Sequence, residues 1–436
     1  MTLTAQIYDR LSSLVVSSGW RRGRAAPAPT PDVLIEEARL LVGLNSEPRV
    51  MVAASDVLNG YDALDDSGKR AFFDGLRDGF DPPADALAQA AQDWLKARDP
   101  DALEALSRAA EPPRQELLRR LNMAPGGTVQ VVRMRADLLR LTGRVPGFAR
   151  VDADFRHLLR SWFNRGFLQL VRIDWRSPAL LLEKLIEYEA VHEIHDFNDL
   201  QRRVLPADRR CYAFMHPAMP DEPLIFVEVA LTDGLPDSVQ TLIDEKRAAL
   251  SPNDVDTAVF YSISNCQAGL AGISFGNLLI KNVVAELSRE LPTLTTFVTL
   301  SPIPGLRTWL QQRADAGEAA VRTLLDDPQP AALSAQTARY LLLAKDAKGR
   351  PLDPVARFHL GNGAEAHRVI VGANTSPRGM KQSLGMMVNY LYDSKRIEAQ
   401  HDEFTERGII AAPKRLQDLA RKTQTEAATK KTDGKK

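Results

Sequence analysis

Residues 257–304 carry the most informative pattern of the chain and read TAVFYSISNCQAGLAGISFGNLLIKNVVAELSRELPTLTTFVTLSPIP. The first part, Thr257–Ser264, is rich in β-branched and aromatic residues and predicts a strand. A glycine-bearing turn follows at Gln267–Gly276, then a helix with one apolar face, and then a short strand that ends at Ser301-Pro302. A strand that leads through a loop of small residues into a helix aims backbone N–H groups and a helix N-terminus at one point. Proteins bind phosphate groups in this way.

The glycines of this loop, at 269, 272 and 276, match neither of the two common nucleotide-binding loops. A Walker A loop needs a Gly-Lys-Ser/Thr sequence, and a Rossmann fingerprint needs a different glycine spacing. The loop therefore predicts an anion-binding site of another type.

Length and composition limit the number of domains and the kinds of partner that the protein is expected to have. The 436 residues are long for a single core and predict two domains, and 44% hydrophobic and 26% charged residues are ordinary globular values. The 56 Lys and Arg residues balance the 56 Asp and Glu residues, so no overall field favours nucleic acid or an anionic membrane as a partner. The two cysteines, Cys211 and Cys266, are expected to be small buried residues in a reducing compartment.

The sequence shows no signal for a membrane or for export. No apolar run approaches the ~20 residues that a membrane span needs. Near the N-terminus Asp9 precedes a very short apolar patch, and Arg21 and Arg22 follow it, an order unlike that of a secretory signal. We therefore expect a cytoplasmic protein.

The residue pattern changes near residue 165 and again near residue 413. Residues 1–165 show apolar residues at helical spacing and no catalytic constellation, so they predict an all-helical domain for oligomerisation or scaffolding. Residues 166–412 alternate strand-like and helix-like segments and predict a mixed α/β domain. Residues 413–436 contain eight Lys or Arg and three Asp or Glu residues and predict a Lys-rich flexible tail.

Five strands and three helices are expected in the second region. The strands are expected at Phe167–Ile173, Cys211–His216, Leu224–Leu231, Thr257–Ser264 and Thr296–Leu300. The helices are expected at about 181–204, 237–249 and 274–291. The Ala-rich residues 315–350 predict a helical insertion over the active face.

Six blocks of sequence, in one order, resemble a known family. They are Tyr188-Glu-Ala-Val-His192, Arg209-Arg210-Cys211-Tyr212, Phe260-Tyr-Ser-Ile-Ser264, Leu300-Ser-Pro-Ile-Pro-Gly305, Phe358-His-Leu-Gly-Asn-Gly-Ala364 and Met387-Val-Asn-Tyr-Leu-Tyr392. Together they closely resemble malonyl-CoA decarboxylase over roughly Arg133 to Tyr392. The glycine loop is also similar to the pyrophosphate loop of the GNAT acyl-CoA fold, whose Gln/Arg-x-x-Gly-x-Gly/Ala pattern is matched in part by Gln267, Gly269 and Gly272.

The resemblance implies decarboxylation of malonyl-CoA to acetyl-CoA and CO2. It implies neither a metal nor an organic cofactor, because the thioester is already the electron sink for this reaction. It also implies a GNAT-like acyl-CoA-binding domain and a homotetramer built from dimers. The CoA loop that the resemblance implies consists of Gln267, Gly269, Ala271, Gly272, Ile273, Ser274, Phe275, Gly276 and Asn277.

Four residues are catalytic candidates through the same resemblance. Ser301 ends a strand before Pro-Ile-Pro, and those prolines stiffen the turn that presents its hydroxyl. Without the resemblance Ser301 would be interpreted as a turn cap and His359 as a core histidine. The resemblance makes Ser301 the active-site serine and His359 the catalytic histidine, whose near-neutral pKa suits proton delivery to an enolate. Asn389 and Tyr392 are expected to orient the imidazole or to donate to the substrate.

Ser274 departs from the family pattern. Animal members of the family carry an acidic residue at this position of the loop, whereas a neutral serine is better placed to cap the helix that starts at Phe275. A mechanism in which a loop carboxylate orients the active serine is therefore in doubt for this chain. His192 and His195 are three residues apart, whereas the zincin pattern needs histidines four apart, so no metal site is expected.

Two other functions stay open at this point. An acyl-CoA N-acyltransferase on the GNAT fold would need a channel for an amine acceptor and a base near the thioester. A non-catalytic malonyl-CoA sensor would keep the loop without turnover, which the presence of both Ser301 and His359 argues against. We predict an α+β protein, with an all-helical N-terminal domain and a GNAT-like mixed α/β domain, that decarboxylates malonyl-CoA in fatty acid metabolism.

Overall fold

The parts of the chain that the computed structural model describes are residues 29–143, 145–244, 246–273 and 276–422. The chain forms two compact units. The first unit comprises the residues up to Phe167 and two later segments, His216–Pro220 and Gln267–Ser274, and the second unit comprises the rest. No helix in the described ranges is long and apolar enough to cross a membrane.

The first unit is helical. Its helices within the described residues are Pro31–Gly43 (α1), Glu47–Asp62 (α2), Asp66–Gly79 (α3), Ala84–Ala97 (α4), Pro100–Ala110 (α5), Pro113–Leu121 (α6), Gly127–Thr142 (α7) and Ala149–Trp162 (α8). Tyr61, Phe72 and Phe73 form an aromatic core whose ring centroids lie 5.3, 5.9 and 6.2 Å apart. The buried Arg114 donates to Asp154 at 2.7 Å and joins α6 to α8.

Two helices of this unit, α4 and α5, bury none of their residues. They pack on each other as a helical hairpin. Leu95 on α4 is 58% exposed and Leu103 on α5 is 50% exposed. The hairpin therefore carries apolar side chains that the single chain leaves in water.

The second unit is built on one mixed sheet. Its strands are Gln169–Ile173 (β1), Arg209–Met215 (β2), Ile225–Thr232 (β3), Thr257–Asn265 (β4), Thr296–Thr299 (β5), Ser301–Pro302 (β6), Glu365–Ile370 (β7) and Met387–Leu391 (β8). The strand order is β1-β2-β3-β4-β5-β8-β6, and β7 also pairs with β8. The pair β4–β5 is parallel, whereas β8 is antiparallel to its three neighbours.

Helices cover this sheet. They are Ala179–Tyr188 (α9), Phe197–Val204 (α10), Val239–Ile243 (α11), Gly276–Glu290 (α12), Leu306–Asp315 (α13), Ala319–Asp326 (α14), Pro330–Leu343 (α15), Pro354–Gly361 (α16), Pro377–Ser383 (α17) and Ile397–Arg407 (α18). Val298 and Leu300 pack in an apolar cluster with Tyr261. Because successive side chains of a strand alternate between faces, Thr299 and Ser301 point to the other face of the sheet.

The predicted fold class, a helical N-terminal region followed by a mixed α/β domain, is confirmed. The five predicted strands are present within two residues of their predicted ends, whereas the sequence analysis missed β7 and β8. Two predicted helices are wrong in extent. The one expected at 181–204 is divided, because Asp196 caps a new helix by accepting the backbone N–H of Asp199. The one expected at 237–249 is helical only over Val239–Ile243.

The predicted flexible tail is wrong in its first part. Residues 414–422 are helical, and Leu416 and Ala420 are 3% and 0% exposed. The preceding Ala411 accepts the backbone N–H of Ala366 on β7 at 2.9 Å. Burying these two apolar side chains stabilises the segment against the mutual repulsion of its basic residues. Residues 423–436 lie outside the described residues.

Candidate active site

Ser301 lies on β6, where it pairs with Val388 of β8. Two prolines, at 302 and 304, follow it and stiffen the chain as it leaves the sheet. The preceding Leu300 donates its N–H to the backbone oxygen of Phe260 at 3.0 Å, which ties this turn to β4. Ser301 is 5% exposed, so its hydroxyl is presented inside the unit.

His359 lies in the last turn of α16. The helix begins where the carboxylate of Asp353 accepts the backbone N–H of Ala356 at 2.9 Å, and Pro354 occupies the first helical position, where its missing N–H costs nothing. It ends at the capping residue Asn362. Two polar side chains therefore mark the ends of the helix that carries His359.

A hydrogen-bond chain joins three of the four predicted catalytic residues. Ser301 Oγ lies 3.0 Å from Nε2 of His359, and Nδ1 of His359 lies 2.8 Å from Oη of Tyr392. On its other side Ser301 donates to Oγ1 of Thr299 at 2.8 Å. Ser301, His359 and Tyr392 are 5%, 3% and 2% exposed, so the chain is shielded from water and its hydrogen bonds are strengthened.

Burial lowers the pKa of His359 to about 3. The expected near-neutral pKa is therefore wrong, because it assumed an imidazole in contact with water. At neutral pH the ring is uncharged and carries one proton, on either Nδ1 or Nε2. A proton that it gives to a substrate then comes from a neutral ring.

Two tyrosines contact this imidazole, Tyr390 on β8 and Tyr392 directly after that strand. The ring of Tyr390 stacks on His359 with centroids 4.6 Å apart and planes inclined by 23°. Burial raises the pKa of Tyr390 and of Tyr392 well above the ordinary value, so both phenols keep their protons. Tyr390 was not among the predicted site residues, although a spacing of two from Tyr392 places both side chains on one face of an extended chain.

Asn389 is placed elsewhere than predicted. It is fully buried, and its Nδ2 donates to the backbone oxygen of Thr299 at 2.6 Å while its Oδ1 accepts from Nε of Arg368 at 2.6 Å. Both ends of the amide are thus used by atoms other than the imidazole. Asn389 fixes β5 against β8, and the N–H of Tyr390 also binds Oγ1 of Thr299 at 3.1 Å. Thr299 is a site residue that the sequence analysis missed.

Gly305 closes the turn after Ser301. A Cβ atom at this glycine would lie 2.2 Å from Oη of Tyr340. Burial raises the pKa of Asp353 to about 6, and backbone N–H groups, that of Gly305 among them, act in the opposite direction. Oδ2 of Asp353 would lie 3.8 Å from a Cβ at Gly305, so the residue that caps the helix of His359 also lies beside the turn after Ser301.

The first part of the predicted CoA loop, Gln267–Ile273, belongs to the helical unit. Gly269 is buried against α7, where an added Cβ would lie 1.8 Å from the backbone oxygen of Val132. Its own carbonyl oxygen accepts from Nη1 of Arg135 at 2.6 Å. The requirement for glycine at 269 is therefore explained by packing within this unit.

Gly272 differs from Gly269 in its backbone conformation and in the space around it. Its φ is +75°, a conformation that side chains disfavour, and no atom lies within 4 Å of an added Cβ. Ala271 beside it is exposed, whereas Ile273 is 8% exposed. This end of the loop has open space in front of its backbone.

The remaining loop residues lie at the start of α12. Ser274 and Phe275 are outside the described residues, and so is the helix cap predicted at Ser274. Gly276 and Asn277 are the first two residues of α12. The backbone N–H groups of a helix's first turn have no partner within the helix itself.

The sequence block 188–192 does not join the Ser301–His359 chain and contributes instead to a buried polar cluster. Arg203 donates to the backbone oxygen of His192 at 2.7 Å and to Oε2 of Glu228 at 3.3 Å. Burial raises the pKa of Glu228 to about 7 and lowers that of His192 to about 4. No group of three or more His, Cys, Asp or Glu side chains in the described part of the chain could hold a metal ion.

The chain has a helical unit and a mixed-sheet unit that buries a serine–histidine–tyrosine chain, so it is a protein of the α+β class. Two family models match the sequence: the malonyl-CoA decarboxylase C-terminal domain over residues 166–430 and the malonyl-CoA decarboxylase N-terminal domain over residues 80–163. The chain belongs to the malonyl-CoA decarboxylase family.

Individual relatives agree with this assignment. The chain is 32% identical over 389 residues to the mitochondrial malonyl-CoA decarboxylase of Mus musculus, covering 78% of this chain and 79% of the relative. It is 37% identical over 319 residues to that of Anser anser anser, and spans 63% of that protein's length. The crystal structure of malonyl-CoA decarboxylase from Rhodopseudomonas palustris has a TM-score of 0.86 and 49% identity, covering 89% of this chain and 100% of that one.

Proposed function

We propose that this protein decarboxylates malonyl-CoA to acetyl-CoA and CO2. The observation that carries the proposal is the buried hydrogen bond between Ser301 and His359 in a chain of this family. The two residues lie 58 positions apart in the sequence, and the family resemblance points to both of them.

Decarboxylation of malonyl-CoA requires a hydrogen-bond donor for the enolate oxygen and a proton for the α-carbon. The bond between the α-carbon and the carboxylate breaks, CO2 leaves, and the electron pair moves into the thioester carbonyl to give an enolate. The enolate oxygen needs a hydrogen-bond donor, and the α-carbon then takes one proton. A buried site favours loss of the carboxylate because that group leaves its water behind on binding.

In this proposal Ser301 hydrogen-bonds the malonyl group and His359 delivers the proton. The hydroxyl of Ser301 gives up its bond to Thr299 when a better acceptor, the developing enolate oxygen, is present. The imidazole of His359, held from both sides by Ser301 and Tyr392, gives the proton on Nε2 to the α-carbon. Water restores the proton after each turnover.

The CoA part of the substrate is assigned to the loop Gln267–Asn277, with the exception of Gly269. The support is the open, positive-φ backbone at Gly272 and the start of α12 at the end of the same loop, since helix N-termini commonly bind anions. Gly269 is not part of this assignment, because its lack of a side chain is explained by Val132.

The protein is also proposed to be a cytoplasmic homo-oligomer, with a tetramer built from dimers as the expected state. The helical hairpin α4–α5 supports an association surface, since it buries none of its own residues and exposes Leu95 and Leu103. Covering such apolar side chains with a second copy removes them from water.

One experiment tests the proposed function. Purified protein is mixed with malonyl-CoA, and acetyl-CoA and CO2 are followed together. Equal amounts of both products are expected, and the reaction should not require an added metal or cofactor. Formation of acetyl-CoA only when an amine is present, with an acylated amine as product, would indicate an N-acyltransferase. Binding of malonyl-CoA without turnover would indicate a sensor. Either result would overturn the proposal.

A further inference from the structure

We propose that the second unit carries an anion-binding pocket between β7 and the C-terminal helix (residues 414–422), which fits a doubly charged phosphate or carboxylate group joined to an apolar body. The pocket has a volume of about 510 Å³. Small-molecule sites typically have volumes of about 300–1,000 Å³. Its lining residues are distinct from the Ser301–His359–Tyr392 chain, so the pocket goes beyond the proposed function and stands without it.

Positive charge dominates the lining. Arg368, Arg415 and Lys422 line the pocket together with one carboxylate, that of Asp418, so three positive charges stand against one negative charge. Arg415 and Lys422 form no ion pair with a carboxylate in the described part of the chain. A guanidinium matches the paired oxygens of a phosphate or a carboxylate, and an ammonium adds a compact charge. A doubly charged anion would therefore neutralise the pocket.

Arg368 is fixed in place before any ligand arrives. Its Nε donates to Oδ1 of the fully buried Asn389 at 2.6 Å, and its Nη2 donates to the backbone oxygen of Pro236 at 2.8 Å. Its Nη1 pairs at 2.9 Å with Asp237, whose side chain is 79% exposed. An ion pair with so exposed a partner contributes little, so an anion in the pocket can replace Asp237. A guanidinium held in this way loses little freedom when it binds.

Arg415 is positioned by the imidazole of His367. Nη2 of Arg415 lies 3.2 Å from Nε2 of His367, and Nδ1 of His367 lies 3.1 Å from Oε1 of Glu365. Because a guanidinium can only donate, Nε2 accepts, and the proton of the ring is on Nδ1, where it is donated to Glu365. The other N–H groups of Arg415 bind no described residue, which leaves them for an anion.

A β-bulge explains how two adjacent residues of one strand line the same pocket. Ala366 pairs with Tyr390 and Arg368 pairs with Asn389, so His367 has no partner on β8. Neighbouring side chains of a regular strand point to opposite faces, whereas the extra residue of a bulge turns the chain. The bulge therefore allows His367 and Arg368 to line the pocket together.

The C-terminal helix contributes one face to the pocket. The residues of that face, spaced by three, four and seven positions, are Arg415, Asp418, Leu419 and Lys422. Leu416 and Ala420 are 3% and 0% exposed and hold the helix against the unit. Leu419 of the helix and Val369 of β7 place apolar surface among the cations. A ligand with an apolar part therefore fits better than a bare anion.

Calorimetry with three small anions tests the pocket. Phenyl phosphate and phthalate each join a dianion to a ring, and inorganic phosphate supplies charge alone. Phenyl phosphate or phthalate should bind more tightly than inorganic phosphate, and more weakly as salt is added. The tighter of the two shows whether phosphate or carboxylate is preferred, and either order supports the proposal. Binding of neither compound by the parent at ~1 mM would overturn it.

Charge reversal locates the bound anion. Arg415→Glu should weaken binding by about tenfold to a hundredfold, because a charge-assisted hydrogen bond is replaced by repulsion. Arg421→Glu is the matched control, since Arg421 is exposed on the same helix and does not line the pocket. It makes the same change of net charge and should keep the parent's affinity. Equal losses in both variants would show that the anion is attracted by overall charge and would overturn the pocket.

Lys422→Glu covers the case in which Arg415→Glu does not fold, as judged by circular dichroism, and should also weaken binding. Gly272→Asn separates this pocket from the loop that is assigned to CoA. Binding that is lost in Gly272→Asn but kept in Arg415→Glu would place the anion at that loop and overturn the proposal. Turnover of malonyl-CoA does not enter this measurement, so a parent without decarboxylase activity that binds the anion would remove the proposed function and leave the pocket standing.

Discussion

Oγ of Ser301 and Nε2 of His359 lie 3.0 Å apart, inside a unit where both residues are almost fully buried. Ser301 is on a two-residue strand and His359 is near the end of a short helix, so two separate elements must be positioned to make this contact. The carboxylate of Asp353 caps that helix, and its Oδ2 would lie 3.8 Å from a Cβ at Gly305, in the turn after Ser301.

Removing either member of this pair should reduce turnover strongly. Loss of one preorganised donor costs about 10²–10³ in rate and loss of a general acid about 10²–10⁴. Ser301→Ala and His359→Ala should each lower kcat within these ranges, with CoA affinity nearly unchanged in calorimetry. The double variant should lose less than the product of the two effects, since both residues act on one transition state. His157→Ala, at an exposed histidine, is the control and should keep the parent's kcat. A kcat of His359→Ala within about threefold of the parent would contradict the assignment of His359.

Acid should destabilise the parent more than a variant without His359. Burial lowers the pKa of His359 from 6.5 to about 3. Between these values the unfolded chain binds a proton here that the folded chain does not, so stability is lost as the pH falls from 6.5 towards 3. From pH 7.5 to pH 4.5 this residue should cost about 2–3 kcal/mol of unfolding free energy. Urea unfolding of the parent, His359→Gln and His157→Gln at both pH values measures it. Equal losses in the parent and His359→Gln would show that the ring is not buried as described.

Gly305→Ala should disturb the turn that presents Ser301. The new Cβ would lie 2.2 Å from Oη of Tyr340, so the tyrosine must move. Overpacking of this kind typically costs about 1–3 kcal/mol, and a decrease in kcat should accompany it. Adding Tyr340→Phe removes the clashing oxygen and should restore much of both losses. Gly43→Ala, which meets no atom within 4 Å, is the control. A double variant no better than Gly305→Ala would show that Tyr340 is not the obstacle.

Substitution of Gly269 should lower stability, whereas substitution of Gly272 should weaken CoA binding. Gly269→Ala should lower thermal stability whether or not CoA is present, because its Cβ would meet the backbone oxygen of Val132 at 1.8 Å. Gly272→Asn should stay folded, since asparagine tolerates a positive φ, but should weaken CoA binding in calorimetry if the loop wraps the pyrophosphate. Gly234→Asn, also at a positive φ in open space, should leave affinity unchanged. Unchanged CoA affinity in folded Gly272→Asn would remove this loop from the site.

Charging the exposed hairpin should dissociate the oligomer. Leu95→Glu combined with Leu103→Glu places carboxylates on a surface that is proposed to be covered by a second copy. Light scattering at micromolar concentration should then report a smaller species than the parent, with an unchanged circular dichroism spectrum. Val371→Glu, at another exposed apolar residue, should not change the assembly. A monomeric parent would contradict the proposal directly.

Some of the site could be predicted from local pattern, and some could not. Tyr390 lies on β8 and Tyr392 directly follows it, and a spacing of two places side chains of an extended chain on one face, so the stacked tyrosine could be predicted from the sequence. Thr299 could not, because its role depends on a bond from Ser301 and on the N–H of Tyr390, which arrives from a distant strand. The helix at the start of the basic tail could not be predicted either, because only the folded chain shows that Leu416 is buried.

The sequence by itself determined the order of most elements and the strand–loop–helix–strand unit at 257–304, because alternation, helical spacing and proline placement are local properties. Ser301 and His359 became candidates only through the resemblance of their sequence blocks to a known family. Only the tertiary structure decided whether these two residues are in contact and whether His359 is charged. The contact between them, the pKa of about 3 at His359 and the packing need of Gly269 all depend on which distant atoms exclude water or occupy space. Burial and close approach are set by the folded chain as a whole, and no local pattern of residues carries them.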